Sequence, residues 1–313
     1  DILRLWVVGT DYTEDPVFGP ETVKQMADIY RRLRNTLRYL LGSLDGFDEA
    51  ERVEPADMPE LERWVLHRIY EMDRRLRTAS DGFEFHPFFA ALHNFCAVDL
   101  SAFYFDIRKD TLYCDPADDA TRRATRTVLD ILFDHLTAWL APFLAFTADE
   151  AWISRFGADG SKPASVHLRT FPDVPENWRN DALAEKWTKV RTLRRVVTGA
   201  LELERAEKRI GSSLQAAPVV YAPSALIEAV AGLDFAEICI TSDIMIATEA
   251  PPAGAFTLDD VAEVGVVPAA AKGEKCARCW RVLPEVGQDT SAPELCGRCT
   301  AAVSGLEPVA ADA

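Results

Sequence analysis

Two pairs of closely spaced cysteines near the C-terminus set the tightest limit on how this chain can fold. Cys276 and Cys279 are three residues apart, as are Cys296 and Cys299, and sixteen residues separate the pairs. Thiolates at this spacing can point to one site, and two such pairs complete a tetrahedron around zinc. Because four thiolates leave no open coordination position, we expect one structural zinc ion in a ribbon over residues 273–313. The alternatives are four free thiols or two disulfides.

The other three cysteines, Cys96, Cys114 and Cys239, are scattered along the chain. An odd total of seven, with no signal peptide ahead of it, favours reduced thiols and a cytoplasmic protein. The chain contains no run of about 18 uncharged apolar residues, so we expect no membrane-spanning segment. It also lacks an initiator Met, which suggests a part of a longer protein.

Apolar residues at spacings of three and four predict a helical bundle upstream of the ribbon. The expected helices cover about 20–42, 59–79, 86–109 and 118–140, and a short one starts at a capping box formed by Thr147 and Glu150. The apolar run at residues 2–8 is too short to separate strand from helix. The composition of residues 157–180 is typical of a linker, since it is rich in Gly, Pro, Asp and Asn.

After the linker, a long helix is expected over about 181–209, and then the pattern changes. Short strands at 217–222, 237–241 and 244–248, with a helix at 224–231, predict a small α/β subdomain. Residues 250–273 suggest no function, and the role of residues 216–272 is left open. The fold class is therefore mainly α, with a helical bundle followed by a small α/β subdomain and a zinc ribbon. The expected segments are 1–19, 20–156, 157–180, 181–272 and 273–313.

The formal net charge of −16 taken alone argues against nucleic-acid binding, so any such role depends on local patches. The long helix supplies one, with eight basic and four acidic residues between positions 185 and 209, a balance of 8 − 4 = +4. Arg191, Arg194 and Arg195 are spaced i, i+3 and i+4, so we expect these three to share a face away from the apolar stripe. Such a basic patch suits the phosphates of an RNA stem, and the alternative is that these charges only face solvent. The predicted contacts are Arg191, Arg194, Arg195, Lys208 and Arg209. A second, weaker set is Arg31, Arg32, Arg34 and Arg38.

Basic residues and one tryptophan also surround the ribbon cysteines. Proteins that bind single-stranded nucleic acid combine basic side chains, which bind phosphates, with aromatic rings, which stack on bases. Each stacked base contributes about 1–3 kcal/mol of binding free energy. Alternatively, the ring packs the hairpin and the arginines are solvated or screen the thiolates. The predicted contacts are Arg278, Trp280, Arg281 and Arg298.

The ribbon, with Trp280 directly after its second cysteine, resembles the C-terminal zinc module of bacterial isoleucyl-tRNA synthetases. Its spacing also resembles the zinc finger of formamidopyrimidine-type DNA glycosylases, so the rest of the chain has to decide between them. Motifs that resemble the synthetase family, in its order, are DILRLWVV at 1–8, TDY at 10–12, RNTLRYLLG at 34–42, WVLHR at 64–68, HNFC at 93–96, DLSAFY at 99–104, DIRKD at 106–110 and TADEAW at 147–152. The resemblance covers about residues 1–215 and 276–299.

This resemblance implies a part of isoleucine–tRNA ligase, the enzyme that attaches isoleucine to its tRNA using ATP. It implies an anticodon-binding bundle at 20–156, preceded at 1–19 by the end of the connection to a catalytic domain. The implied partner is isoleucine tRNA, with no DNA or membrane, and the implied state is a cytoplasmic monomer. The family's His-x-Gly-His and Lys-Met-Ser-Lys-Ser sequences are absent, so ATP and Mg²⁺ would bind only to a missing catalytic core. The chain alone is expected to be inactive and to lack catalytic residues.

Two other readings stay open at this point. A DNA glycosylase needs an amine nucleophile and a lesion pocket, and the sequence shows neither. A zinc-ribbon interaction module without an RNA role needs only the four cysteines. His93, Cys96 and Asp99 lie near one face of a predicted helix, where a hydrogen-bonded core network is the expected explanation rather than a metal or nucleophile site.

Overall fold

The computed structural model describes residues 1–11, 13, 15–157 and 159–304. Tyr12 of the TDY motif, residue 158 of the expected linker and the tail at 305–313 lie outside these residues. The chain divides into two compact units. The first contains residues 1–112 and 117–180, and the second contains residues 113–116 together with the chain from 181 onward.

The first unit is a bundle of helices, as the sequence predicts. Its helices are α1 (Ile2–Gly9), α2 (Pro20–Ser43), α3 (Glu60–Asp81), α4 (Phe85–Asn94), a π-helical stretch (Phe95–Phe105), α5 (Asp106–Cys114), α6 (Ala120–Leu140) and α7 (Ala145–Phe156). The last two residues of α5, Tyr113 and Cys114, are counted with the second unit.

Helix α6 lies at the centre of the first unit. Its apolar residues Val128, Leu132, Leu136 and Trp139 are fully buried, and α2, α3 and α7 pack against it. These residues recur at spacings of four, four and three, so one stripe of α6 faces the neighbouring helices. Burying such side chains stabilises the bundle by about 1.5–3 kcal/mol each.

A fully buried carboxylate ties three of these helices together. Glu62 on α3 accepts hydrogen bonds from Arg108 Nε at 2.7 Å and Nη2 at 2.8 Å. The Tyr104 hydroxyl and the Thr125 hydroxyl of α6 each donate to Glu62 Oε1 at 3.2 Å. Since removing one partner of a buried pair leaves an uncompensated charge, loss of Arg108 would destabilise the packing of these helices.

The stretch Phe85–Cys114 is one continuous helix, and it is long and apolar enough to cross a membrane by length and composition. Most of its apolar window is buried, which is also the behaviour of the core helix of a bundle. The sequence correctly predicted a helix here, but the predicted range of 86–109 ended five residues too early.

Helix α7 begins earlier than the sequence predicts, and the capping box at Thr147 and Glu150 is wrong. The helix starts at Ala145. Its first backbone N–H groups are capped from far along the chain, since the Asp1 carboxylate accepts hydrogen bonds from Phe146 N at 3.2 Å and Thr147 N at 2.9 Å. The Thr147 hydroxyl donates to the same carboxylate at 2.6 Å instead of capping its own helix.

The apolar run at residues 2–8, whose length did not separate strand from helix, is helical and lies in α1.

Residues 157–180, expected to be a linker, belong to the first unit and contact its helices. Trp152 Nε1 donates to Pro163 O at 2.8 Å. Tyr70 on α3 donates to Glu176 at 2.8 Å. Asn180 N donates to His67 Nδ1 at 2.9 Å. The segment thus satisfies polar groups of the bundle along its length.

The second unit starts with α8 (Asp181–Ala206) and continues into a small mixed sheet and a ribbon. Its further elements are β1 (Val219–Tyr221), α9 (Ser224–Val230), α10 (Phe235–Cys239), β2 (Met245–Ala247), β3 (Phe256–Leu258), β4 (Val261–Val267), β5 (Glu274–Lys275), β6 (Val282–Leu283) and α11 (Gly297–Ser304). The sheet order is β2-β1-β4-β3, with β1 parallel to β2 and antiparallel to β4, and β3 antiparallel to β4.

Helix α8 lies on this sheet. Gly199 of α8 approaches Phe256 of β3 so closely that a Cβ atom would stand 2.9 Å from the ring. Contact with β4 and α9 covers the rest of the apolar stripe, in which Trp187, Leu193 and Val197 are fully buried. The helix ends at Ala206, three residues before the predicted end.

The predicted strand at 237–241 is wrong, because residues 237–239 belong to helix α10 and the helix ends directly after them. Asp234 accepts a hydrogen bond from Glu237 N at 2.9 Å and caps it. Ile240 then adopts a left-handed conformation with φ 58°, which ends the helix after one turn. Residues 250–273, to which the sequence assigned no role, supply strands β3 and β4 of the sheet.

Candidate metal centre and nucleic-acid interface

The ribbon brings the four predicted zinc ligands together. Cys276 directly follows β5, Cys279 lies in the turn that leads to β6, Cys296 precedes α11, and Cys299 lies in the first turn of α11. All four are at most 5% exposed, and their sulfur atoms lie within 4.8 Å of one another. No disulfide joins any of the seven cysteines.

The arrangement of sulfurs fits one structural zinc ion. Four sulfurs at about 2.3 Å from a zinc ion in a tetrahedron are about 3.8 Å from one another. The Cys279 and Cys296 sulfurs are 3.8 Å apart. A donor set of four buried thiols has no His and no carboxylate, and it leaves no position for a water, so the site suits a structural rather than a catalytic metal. When bound, the ion would link the hairpin to α11 and stabilise a module that has few apolar residues of its own.

The surroundings of the cysteine sulfurs favour ionisation of Cys276 and oppose that of Cys299. Burial opposes the charge of the Cys276 thiolate, but N–H groups of Cys279, Cys296 and Arg278 donate to its sulfur and lower its pKa to about 6. Cys296 N is one of these donors, at 3.4 Å. Burial raises the pKa of Cys299 to about 11, and the neighbouring sulfurs add to that effect. Several thiolates at one point repel each other, so a divalent cation is what allows all of them to ionise.

The hairpin that carries Cys276 and Cys279 depends on a glycine. Gly273 has φ 109°, and a Cβ atom there would stand 2.2 Å from the backbone carbonyl carbon and oxygen of Leu283. Glu274 and Lys275 pair with Leu283 and Val282 directly after this close approach. Only glycine allows both the backbone angle and the contact.

Trp280, a predicted RNA contact, projects from the ribbon. Its side chain is 60% exposed, and its backbone is left-handed with φ 67°. Its N–H donates to Cys276 O at 3.0 Å, which closes the cysteine turn. Lys275 Nζ lies 5.2 Å from the ring centroid, so an ammonium group accompanies the exposed ring. Most of the ring is therefore available to a partner, and its stacking on RNA stays a prediction.

The predicted arginines of the ribbon all contact other parts of the second unit. Arg278 donates to the backbone carbonyls of Tyr113 and Cys114. Arg281 Nη2 donates to Ser242 O at 2.8 Å. Arg298 lies 3.4 Å from the Asp115 carboxylate. Their RNA contacts stay a prediction, and each would have to coexist with these internal bonds.

The arginines of α8 do not share one free face, and that expectation is wrong. Arg194 Nε donates to Ile238 O at 2.8 Å, at the C-terminal end of α10, so this side chain points toward the packed side of α8. Arg195 pairs with Asp260 in the turn between β3 and β4 at 2.6 Å, although it is half-exposed. Arg191 is also engaged.

The remaining predicted contacts lie where α8 ends. Arg209 pairs with Glu204 at 2.6 Å and also with Glu207. Lys208 is exposed and has a left-handed backbone with φ 59°. Arg195 in α8, and Lys208 and Arg209 just after its end, are the predicted contacts that are exposed, but carboxylates already balance both arginines.

The contacts of residues 113–116 escaped the sequence analysis. Cys114 is buried in one cluster with Cys276, Cys279, Cys296 and Cys299, although more than 160 positions separate it from them. Nothing local in the sequence signals such a contact, since Cys114 has no partner cysteine at metal-ligand spacing.

Comparison with known proteins agrees with this architecture. Residues 62–221 match the family model described as the anticodon-binding domain of tRNA ligase. Residues 273–302 match the model of a zinc finger found in FPG and IleRS. The second match covers the ribbon and all four clustered cysteines.

Curated relatives named isoleucine–tRNA ligase match nearly the whole chain. The protein of Brucella abortus biovar 1 is 54% identical over 98% of this chain. That of Ruegeria pomeroyi is 54% identical over 97%, and that of Agrobacterium fabrum is 52% identical over 98%. This chain spans 31% of the length of each of these relatives.

The family assignment follows from the first of these matches. The model of the anticodon-binding domain covers 160 of the 313 residues, from within α3 through the rest of the helical bundle and α8 to β1. The chain therefore belongs to the family of tRNA ligases that carry this anticodon-binding domain.

Proposed function

We propose that this chain is the tRNA-holding part of an isoleucine–tRNA ligase, which joins isoleucine to its tRNA at the expense of ATP. The observation that carries the proposal is the combination, in one chain, of an anticodon-binding domain at 62–221 and a four-cysteine ribbon that presents an exposed tryptophan. Relatives of this name match both parts over 98% of the chain.

The proposed RNA-contacting groups are those that the fold leaves exposed. Trp280 offers a ring for base stacking, and Lys275 beside it offers a cation. Arg195 on α8, and Lys208 and Arg209 just beyond its end, offer phosphate contacts, and the two arginines would exchange a carboxylate partner for a phosphate. Sequence-specific recognition of RNA uses unstacked bases, which suits an anticodon loop.

The remaining proposals follow from the same assignment. Residues 20–156 form the anticodon-binding bundle, and residues 1–19 lead from a catalytic domain that this chain does not include. Residues 181–272 and 273–313 present the α8 contacts and the ribbon contacts. ATP and Mg²⁺ act in that catalytic domain, and the whole enzyme works as a cytoplasmic monomer.

Direct binding measurements test the proposal. We expect the chain to bind isoleucine tRNA and to bind it more weakly when the anticodon is replaced by that of another amino acid. Fluorescence anisotropy with both RNAs at a fixed, stated salt concentration gives the ratio of the two affinities. Equal affinity for the two RNAs would refute anticodon recognition. No measurable binding to either RNA would instead favour a zinc-stabilised interaction module without an RNA role.

A further inference from the structure

One arginine of the ribbon bonds to groups that have nothing to do with RNA. Arg278 lies between Cys276 and Cys279, and its Nη1 and Nη2 donate to the carbonyls of Cys114 and Tyr113. The carbonyl of Arg278 is in turn 4.0 Å from the Cys114 sulfur. Residues 113–116 therefore lie against the cysteine turn, and Arg278 holds them there at two points.

The same guanidinium reaches the metal centre. Arg278 Nη1 lies 3.8 Å from the Cys299 sulfur, within hydrogen-bonding range for sulfur. Cys299 belongs to the other cysteine pair, so one side chain spans from the first pair to the second. Four thiolates around Zn²⁺ carry a net charge of 4 − 2 = 2 negative charges, and a guanidinium beside them offsets part of this charge.

The partners of Arg278 use its planar geometry. A guanidinium carries five N–H donors in a fixed fork, so one group can serve two carbonyls and a sulfur at once. A lysine carries the same charge but cannot place donors along these separate directions in a plane. The geometry thus distinguishes a role in positioning from a role in charge alone.

We propose that Arg278 is a positioning residue of the metal centre, which couples the occupied cysteine site to residues 113–116. It orients and partly neutralises the Cys299 thiolate, and in the same geometry it fixes the carbonyls of Tyr113 and Cys114. Loss of the metal releases residues 113–116, and loss of Arg278 weakens the hold on the metal. Because the coupling is reciprocal, either change is visible at the other place.

Metal-release measurements on the zinc-loaded chain provide the first test. We expect Arg278→Ala to lower the zinc affinity by about 10–100-fold, the usual effect of removing an outer partner of a ligand, in competition with a chromogenic chelator. Arg278→Lys should fall between this variant and the wild type. Lys272→Ala removes an exposed cation directly before the ribbon and is expected to keep wild-type affinity. Wild-type affinity in Arg278→Ala would overturn the proposal.

A spectroscopic measurement distinguishes a direct effect of Arg278 on the thiolates from a general loss of ribbon stability. In the Co²⁺-loaded chain, thiolate-to-metal charge-transfer bands report directly on the sulfurs. Arg278→Ala and Arg278→Lys should shift these bands, whereas Lys272→Ala should not. Unchanged bands in both Arg278 variants would mean that the guanidinium does not act on the thiolate.

The wild-type chain tests the reverse direction, and it does so even if the variants fold poorly. Removal of zinc by a chelator should speed amide hydrogen exchange at residues 113–115. The reason is that Arg278 would no longer be held in place to donate to the carbonyls of Tyr113 and Cys114. Exchange within α9, which has no contact with the ribbon among its described hydrogen bonds, serves as the internal control. Equal exchange at 113–115 with and without zinc would overturn the coupling. No RNA is present in these measurements, so their outcome is independent of the proposed tRNA binding.

Discussion

At the scale of single residues, Trp280 combines an unfavourable backbone conformation with an exposed side chain. A left-handed conformation costs an ordinary residue about 1–2 kcal/mol, and a 60% exposed ring does not recover that cost by burial. We expect Trp280→Gly to leave the ribbon as stable as the wild type or more stable. The same change should weaken tRNA binding by about 1–3 kcal/mol, through the loss of one stacking contact.

Two readouts on the same variant check this prediction. Chelator competition measures the stability of the zinc site, and anisotropy measures tRNA affinity. Trp280→Phe retains a ring and serves as the control, with affinity close to that of the wild type. A Trp280→Gly variant that loses zinc readily would instead assign the ring to packing of the ribbon.

His135 makes the stability of the first unit depend on pH. Burial lowers its pKa from the usual 6.5, and neighbouring groups oppose this only in part. Its Nδ1–H donates to Ile131 O at 2.8 Å, and no described residue donates to its buried Nε2. The unfolded chain therefore takes up a proton first as the pH falls, so this contribution is complete above about pH 6.5 and is lost progressively below it.

Urea unfolding between pH 5.5 and pH 7.5 measures this effect, since carboxylates titrate mostly below that range. We expect the free energy of unfolding to fall as the pH is lowered, by at most about 1.4 kcal/mol per pH unit for one proton. His135→Gln should flatten the dependence, whereas His167→Gln, at an exposed position, should retain it. An identical pH dependence in His135→Gln and the wild type would contradict the assignment to His135.

At the scale of elements, the hairpin of β5 and β6 depends on Gly273. An alanine would be strained at φ 109°, and its Cβ would overlap the backbone of Leu283. Since backbone atoms cannot move aside as a flexible side chain can, we expect Gly273→Ala to cost more than about 1–3 kcal/mol of ribbon stability. Gly287→Ala is the matched control, because Gly287 also has a positive φ but no close contact. Zinc competition in both variants compares the two, and equal affinities would show that the overlap is relieved at little cost.

Elements with a long, regular apolar pattern could be predicted from the sequence, and elements fixed by distant partners could not. Helix α6 and helix α8 have apolar stripes over many turns, and their existence and approximate bounds follow from those stripes. The start of α7 depends on Asp1, 145 positions before Phe146, so no local pattern reveals it. For α10, the apolar run of Ile238, Cys239 and Ile240 suggested a strand, while the Asp234 cap was the signal that would have indicated a helix.

The candidate site divides in the same way. The cysteine spacing predicted the metal cluster, because ligands at this spacing need only a local turn to converge. The expectation that the arginines of α8 share one free face was wrong, because Arg194 bonds to Ile238 and Arg195 to Asp260, 44 and 65 positions away. The spacing of arginines along a helix does not show whether a side chain faces solvent or bonds to a distant part of the chain. In either case the arginine lies at the edge of the apolar stripe.

At the scale of the whole molecule, a chain of net charge −16 that binds a polyanion must do so through a few local contacts. Each phosphate contact releases counterions, so the logarithm of the affinity falls linearly with the logarithm of salt concentration, by about 0.7–0.9 per contact. If Lys208 and Arg209 each bind one phosphate, the variant with Lys208→Gln and Arg209→Gln should have a shallower slope by about 1.4–1.8. Arg74→Gln removes a cation that pairs with Glu176 in the first unit, and it should leave the slope unchanged.

Anisotropy titrations with tRNA at several potassium chloride concentrations give these slopes directly. The slope is more informative than the affinity at one salt concentration, because the double variant also releases Glu204 and Glu207 from their arginine. Those freed carboxylates repel RNA and lower the affinity even without a lost contact, but they do not remove a counterion-release site. A variant with weaker binding and an unchanged slope would therefore place the phosphate contacts elsewhere than at the end of α8.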